Sequence, residues 1–204
     1  MPSQTFLNLP ISKQQVLISA AKNEFTRVLL TDASINQIIK EANISRGSFY
    51  MYFKDKEDIY FYLLEQNRQQ FFNVAKDIFK KNNGDLITGF NIFFEYLVSF
   101  CLSDENKSFF KNVLMNVNFK NEYPIFSKYS PEKMEKELEC FLESIDYSNL
   151  NIDSKDDIID ILNMIMMLTI HNLVKIVKKP ESVDLIQNKY KNQLRMLKQG
   201  IYIK

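Results

Sequence analysis

The chain has 204 residues, 46% of them hydrophobic, and a formal net charge of +1, enough material for one large domain or two modest ones with a real core. Near-neutrality excludes binding of a polyanion through bulk charge, yet residues 1–56 hold seven Lys/Arg against four Asp/Glu while the remainder is slightly acidic, a mild sign of a polyanion partner for the N-terminal part. Four Gly and five Pro leave few breakers and favour an all-α fold.

The opening MPSQTFLNLP has no basic n-region and no long apolar run, so it does not read as a signal peptide. Residues 12–30 are expected to form the first helix, with Ser12 as its cap and Leu17, Ala21, Phe25 and Val28 at helical spacing. Thr31 and Asp32 break that pattern. Ser34 then caps a short helix over 35–41 with Ile35, Ile38 and Ile39 on its apolar face. Asn43 can take the left-handed conformation of a tight turn. Ile44 is expected to pack inward, and Ser45 to cap a third short helix at about 46–52. Asp55 caps a long fourth helix to about 80, ended by NNGD with Gly84 as the stop.

Five further helices follow. The fifth carries Leu86, Phe90, Phe93, Phe94, Leu97 and Cys101. The sixth carries Phe109, Phe110, Val113, Leu114 and Val117. A loop over 121–131 with two prolines precedes a seventh, marked by Met134, Leu138, Phe141, Leu142 and Ile145. Helices at about 155–178 and 182–202, parted at Pro180, close the chain. The eighth is apolar on two faces, one stripe running through Ile161, Ile165 and Asn172 and the other through Leu162, Met166 and Thr169, so two covers are expected. One is its own domain. The other is a partner chain, with the last helix completing a four-helix homodimer interface over about 155–202. The run from Ile158 to Val177 is interrupted by Asp160, Asn163, His171, Asn172 and Lys175, which makes it a poor membrane span. Cys101 and Cys140 read as buried free thiols of a reducing cytoplasm.

Two short helices over 35–52, joined by a tight turn and flanked by longer ones, are the plan of a helix-turn-helix, whose second helix enters the major groove. The run INQIIKEANISRGSFYMYFKDKEDI resembles the DNA-binding motif of the TetR/AcrR family of transcriptional regulators. The match passes through Ala42, Ile44, Ser45, Gly47, Ser48, Phe49, Tyr50, Tyr52, Phe53 and Lys56, and the recognisable part spans about 12–60. Two departures stand in the motif: Asn43 replaces the usual turn glycine, and RVLLTDAS lacks the Gly-aromatic pair that usually ends the first helix. The N-terminal arm is not basic. The resemblance implies a DNA-binding domain at 1–56 and a larger ligand-binding and dimerisation domain at 57–204.

Helical phase divides the motif. Phe49 and Phe53 lie four apart and share a buried face, expected against Phe25, Ile38 and Ile44. The expected DNA contacts are Ser34, Ser45, Arg46, Gly47, Ser48, Tyr50, Met51, Tyr52 and Lys56. Arg46 suits guanine or phosphate, the tyrosine hydroxyls suit phosphates, and Met51 with the Gly47 backbone can approach base edges. Lys56, at the start of the fourth helix, suits a phosphate.

By the same resemblance the C-terminal domain takes a small apolar effector, with Phe90, Phe93, Phe94, Phe110, Phe141, Met166 and His171 as candidate lining. A lone histidine has no companion metal ligands. No Ser/His/Asp set, phosphate-cradling Gly loop or Cys/His cluster stands in the chain, so no catalytic residue, metal or cofactor is expected. The expectation is a cytoplasmic, dimeric regulator of a palindromic double-stranded operator, a repressor released or altered by its effector. The rival is the same DNA-binding fold without a small-molecule ligand, nucleoid-associated or controlled by a protein partner.

Overall fold

The computed structural model describes residues 2–115 and 131–202. Among them the regular structure is α-helical: α1 Gln4–Leu7, α2 Ile11–Arg27, α3 Ile35–Glu41, α4 Arg46–Tyr52, α5 Lys56–Lys81, α6 Leu86–Leu102, α7 Lys107–Met115, α8 Pro131–Leu142, α9 Lys155–Lys178 and α10 Val183–Ile201. Every helix expected from the sequence is present, and α1 is an addition. The expected loop at 121–131, save its last residue, and Val117 of the sixth helix lie outside the described residues. The chain forms two compact units, and α5 contributes to both.

The first unit holds the chain to Gln70 and the segment from Asp104 that carries α7, so it takes in more than residues 1–56. Helix α2 begins at Ile11, behind Pro10 at the cap position and without a side-chain cap; the expected Ser12 cap gives way to a proline whose missing N–H costs nothing at a helix start. It ends at Arg27, three residues short of the sequence reading. The cause is Glu24, 3% exposed. Its carboxylate accepts two bonds from the Arg27 guanidinium and one from the Ser34 amide at 2.8 Å, so the chain must leave the helix to bring Ser34 round. The Asn112 side-chain amide of α7 donates to the carbonyls of Phe25 and Thr26 at 2.9 and 3.0 Å, closing the end of α2.

The start of α5 is fixed as the sequence suggests. Asp55 accepts the Asp58 amide at 2.7 Å, and Asp58 accepts the Lys54 amide at 3.2 Å, a reciprocal cap.

The second unit packs α6, α8, α9 and α10 with the latter half of α5. Gly84 has φ +73° and lies where a Cβ would meet the Asp146 amide nitrogen at 2.4 Å, so the stop after α5 needs glycine. Gly89 lets α6 lie against the Phe79 ring, 2.7 Å from where a Cβ would stand. Helix α9 opens with a reciprocal box between Ser154 and Asp157. The Phe94 ring lies 4.0 Å from that of Tyr190, whose hydroxyl shares a 2.7 Å bond with Thr169. Burial pushes the Tyr190 phenol up, and the Thr169 bond opposes it in part.

Both apolar stripes of α9 are spent largely inside this unit: Ile161, Ile165, Asn172, Ile176, Leu162, Thr169, Leu173 and Val177 are all buried. The apolar side chains left in water are others, Met164 and Met167 on α9 and Leu185 and Met196 on α10. Taken singly, α9 is the one described helix long and apolar enough to cross a membrane. Within its most apolar window 44% of the residues are buried inside the fold. Cys101 is buried, its thiol pushed up to about 12 by burial. Cys140 departs from the sequence reading: it is half-buried, with the Lys76 Nζ donating to its Sγ at 2.8 Å.

Candidate nucleic-acid interface

The helix-turn-helix is built as its sequence dictates. Asn43 sits at φ +51° and the Ile44 amide donates to the Ile39 carbonyl at 3.0 Å, turning the chain out of α3. Ile44 itself is only half-buried. The Ser45 Oγ accepts the Ser48 amide at 3.0 Å, satisfying one of the donors a helix start leaves free. Ser34 holds the equivalent position before α3, but its side chain makes no cap bond. The Glu24 carboxylate takes that part.

Phe49 and Phe53 are 0% and 1% exposed, with Ile38 and Ala42 buried beside the turn. The partner of Phe53 differs from the expectation: its ring lies 4.8 Å from Phe6 of α1 and 5.8 Å from Tyr62 of α5. Phe25 pairs instead with Tyr60 at 5.0 Å.

The other side of α4 faces outward. Ser45, Arg46 and Gly47 are exposed, Ser48 and Tyr52 are half-buried, and Tyr50 and Met51 are 46% and 57% exposed. Seven of the nine candidate contacts therefore lie on or at the start of one short helix, whose buried stripe orients them. Arg46 is held in place: Nη1 donates to Asn36 Oδ1 at 2.6 Å and Nη2 to the Tyr50 hydroxyl at 3.2 Å, with the guanidinium 5.5 Å from the Tyr50 ring centre. Such a constraint lowers the ordering cost of a bidentate contact. A Cβ on Gly47 would meet only the Ser45 Oγ, at 3.8 Å, so nothing inside the fold requires glycine there.

Lys56 is the eighth candidate, and its setting differs from a free ammonium at a helix start. Its Nζ donates to the carbonyls of Thr31 and Ala33 at 2.7 and 3.1 Å, tying α5 to the loop that enters α3. Ser34, the ninth, is half-buried on that same loop. Sequence reasoning missed Asn36, Glu24 and Asn112 because each acts across a distance in sequence. Asn36 alone left a local signal, a polar side chain in the first turn of α3.

The pocket candidates lie on four helices, α6, α7, α8 and α9. Phe90, Phe93 and Phe94 are buried on α6. Phe90 packs at 5.3 Å on Phe79, which also meets Phe141 at 5.0 Å. Met166 is half-buried, and His171 is exposed on α9 with its imidazole held below its usual range by partial burial and then by Lys175 and Lys189. Phe110 belongs to the first unit, on α7. A groove of ≈ 680 Å³ does lie in the second unit, between the end of α8 and the start of α9. Leu142, Tyr147, Ile152 and Ile158 line it with Glu139 and Glu143, and none of the seven candidates does.

Comparison with known proteins points the same way as the motif. Residues 17–63 match the family described as bacterial regulatory proteins, tetR family, and residues 85–201 match the one described as tetracyclin repressor-like, C-terminal domain. The HTH-type transcriptional regulator YdgC of Bacillus subtilis (strain 168) is 24% identical over 154 residues, covering 67% of this chain and 79% of its own. The HTH-type transcriptional regulator SAB2452 of Staphylococcus aureus is 24% identical over 164 residues, covering 71% and 88%. Among solved structures, SmeT, the repressor of the Stenotrophomonas maltophilia multidrug efflux pump SmeDEF, has a TM-score of 0.63 at 13% identity, covering 98% of this chain and 93% of its own. NalD, the secondary repressor of the MexAB-OprM pump in Pseudomonas aeruginosa, has a TM-score of 0.61 at 15% identity, covering 94% and 96%.

Proposed function

The chain belongs to the TetR family of bacterial transcriptional regulators, non-enzymatic DNA-binding proteins, and from that premise we propose that it is a cytoplasmic repressor of a palindromic operator, reading bases with α4. The observation that carries this reading is the outward face of α4, where Arg46, Gly47, Ser48, Tyr50 and Met51 stand over a stripe fixed by Phe49 and Phe53. Two copies of the chain place two such helices in successive major grooves, ~34–36 Å apart.

Selection of bound duplexes from a random-sequence pool at moderate salt tests the reading, and it fails if no sequence is enriched. With a selected duplex in hand, Arg46→Ala changes the preferred base at one position per half-site. Lys56→Ala weakens every sequence, and its salt slope falls by about 0.9 if its third donor holds a phosphate. Equal, sequence-blind losses from both variants remove the base-reading role of Arg46.

The effector half of the proposal rests on the match of residues 85–201 to a tetracyclin repressor-like C-terminal domain. It takes a small apolar molecule that releases the operator. The packing of Phe90, Phe94 and Phe141 on the protein's own Phe79 and Tyr190 favours the second reading, a regulator of the same fold controlled by a protein partner. Native mass spectrometry of protein taken from its own host separates the two: a co-purified apolar molecule supports the first, and a bound protein supports the second.

A further inference from the structure

The segment before α2 contains a built structure that neither the motif nor the family matches cover, since the first match begins at residue 17. Helix α4 has seven residues, about two turns, far below the ~12–15 at which a helix is even marginal alone. Its last turn carries Tyr50, Met51 and Tyr52, and a helix end leaves its final carbonyls without internal partners. Ser3 supplies two of them. Its backbone N–H donates to the Tyr52 carbonyl at 2.9 Å, and its Oγ donates to the Met51 carbonyl at 2.6 Å. The same Oγ caps α1 by accepting the Phe6 amide at 3.3 Å.

That cap presents Phe6 inward. Its side chain is 0% exposed, with ring centres 6.1 Å from Tyr52, 4.8 Å from Phe53 and 5.6 Å from Tyr62 of α5. One serine and one phenylalanine thus join the end of α4 to the first half of α5. Residues 2–9, PSQTFLNL, contain no Lys or Arg, so the segment has no charge with which to hold a phosphate.

We propose that α1 is a positioning element of the DNA-reading site: Ser3 and Phe6 fix the last turn of α4, and with it Tyr50, Met51 and Tyr52, without touching DNA. This rests on the reading of α4 as the base-reading helix. Without the Ser3 hydroxyl the last turn frays, and the three side chains sample geometries in which correct and altered sites are bound more nearly alike.

The test uses the full chain and the selected duplex, alongside one with a single base changed in the half-site. Ser3→Ala is expected to cut the discrimination between them about five- to tenfold, the scale of a lost hydrogen bond, with the salt slope unchanged. Ser3→Thr, which keeps the hydroxyl, restores it. In the free protein, amide hydrogen exchange at Phe53, which closes α4 onto Phe49, speeds up in Ser3→Ala and not in Ser3→Thr. Phe6→Leu, milder than a truncation, lowers discrimination in the same direction. Unchanged discrimination in Ser3→Ala, measured well below its unfolding midpoint, overturns the positioning role and leaves the base-reading role of α4 intact. A salt slope that falls by about one shows direct phosphate contact and also overturns it. A wild-type chain that prefers no duplex overturns both readings together.

Discussion

Gly47 separates structure from function at a single atom. It lies in the first turn of α4, exposed, where a side chain would meet only the Ser45 Oγ at an ordinary 3.8 Å. A helix prefers alanine to glycine by up to about 1 kcal/mol, so Gly47→Ala is expected to leave stability unchanged or raise it by about 0.5 kcal/mol. On a helix laid in the major groove, the added methyl stands where backbone and base edge meet, and affinity for the selected duplex falls about tenfold, the cost of keeping the two surfaces a fraction of an ångström apart. Thermal unfolding and duplex binding on the same sample check both halves. A binding loss that comes with a lower midpoint would instead place the glycine's role inside the fold. Much at this scale was legible in sequence, because Phe49 and Phe53 are local and four apart. The settings of Arg46 and Lys56 were not. Arg46 is fixed by Asn36, ten residues away, and Lys56 by carbonyls 23 and 25 residues away, and spacing carries no record of such pairings.

At the scale of the element, periodicity located nine helices because each has an apolar face at helical spacing, and local caps such as Ser45 and Asp55 set the starts. Ends set by distant side chains were misplaced: α2 stops at Arg27 because Glu24 and Asn112 terminate it. Helix α1 was missed because four residues show no period. The cap of α9 is local and titratable, which makes it testable. Asp157 accepts amides from Asp153 and Ser154 at 2.7 and 2.9 Å, and those bonds hold its carboxyl below the ordinary range. A folded value below the unfolded one means that this contribution is fully present above pH ~4 and is lost as pH falls through the folded value beneath it. Asp157→Asn removes that titration. The difference in denaturant midpoint between wild type and variant is expected to be largest near neutrality and to shrink below pH ~4. A difference constant with pH assigns the cap's stability to geometry rather than charge. Other carboxylates titrate in both chains, so only the difference is read.

At the scale of the whole molecule, the question is what covers the apolar side chains that the second unit leaves in water. The two-stripe pattern of α9 suggested one stripe for the core and one for a partner, yet both stripes are largely buried within one chain. Those on the last two helices are Met164 and Met167, three apart on one face of α9, and Leu185 and Met196 on α10, at 46%, 57%, 73% and 60% exposure. His171 shares the α9 face. A face with flexible methionines and a terminal leucine, bordered by Lys189 and Asn192 on the α10 stripe, has the apolar centre and polar rim of a protein interface. Two copies related by a two-fold axis would bury it against itself and form four helices from two chains. Replacing both methionines with glutamate places four carboxylates at the centre of that contact, each of which must be desolvated without a partner. Met164→Glu/Met167→Glu is therefore expected to run in light scattering at micromolar concentration as one 24.1 kDa chain, and the wild type at twice that mass. The variant still folds, because neither residue belongs to the core, and its thermal midpoint falls only by what association contributed to the wild type. Operator binding becomes second order in protein and loses at least about a hundredfold in affinity, since two half-sites must now be filled independently. A double variant that keeps the dimeric mass moves the interface off this face of α9.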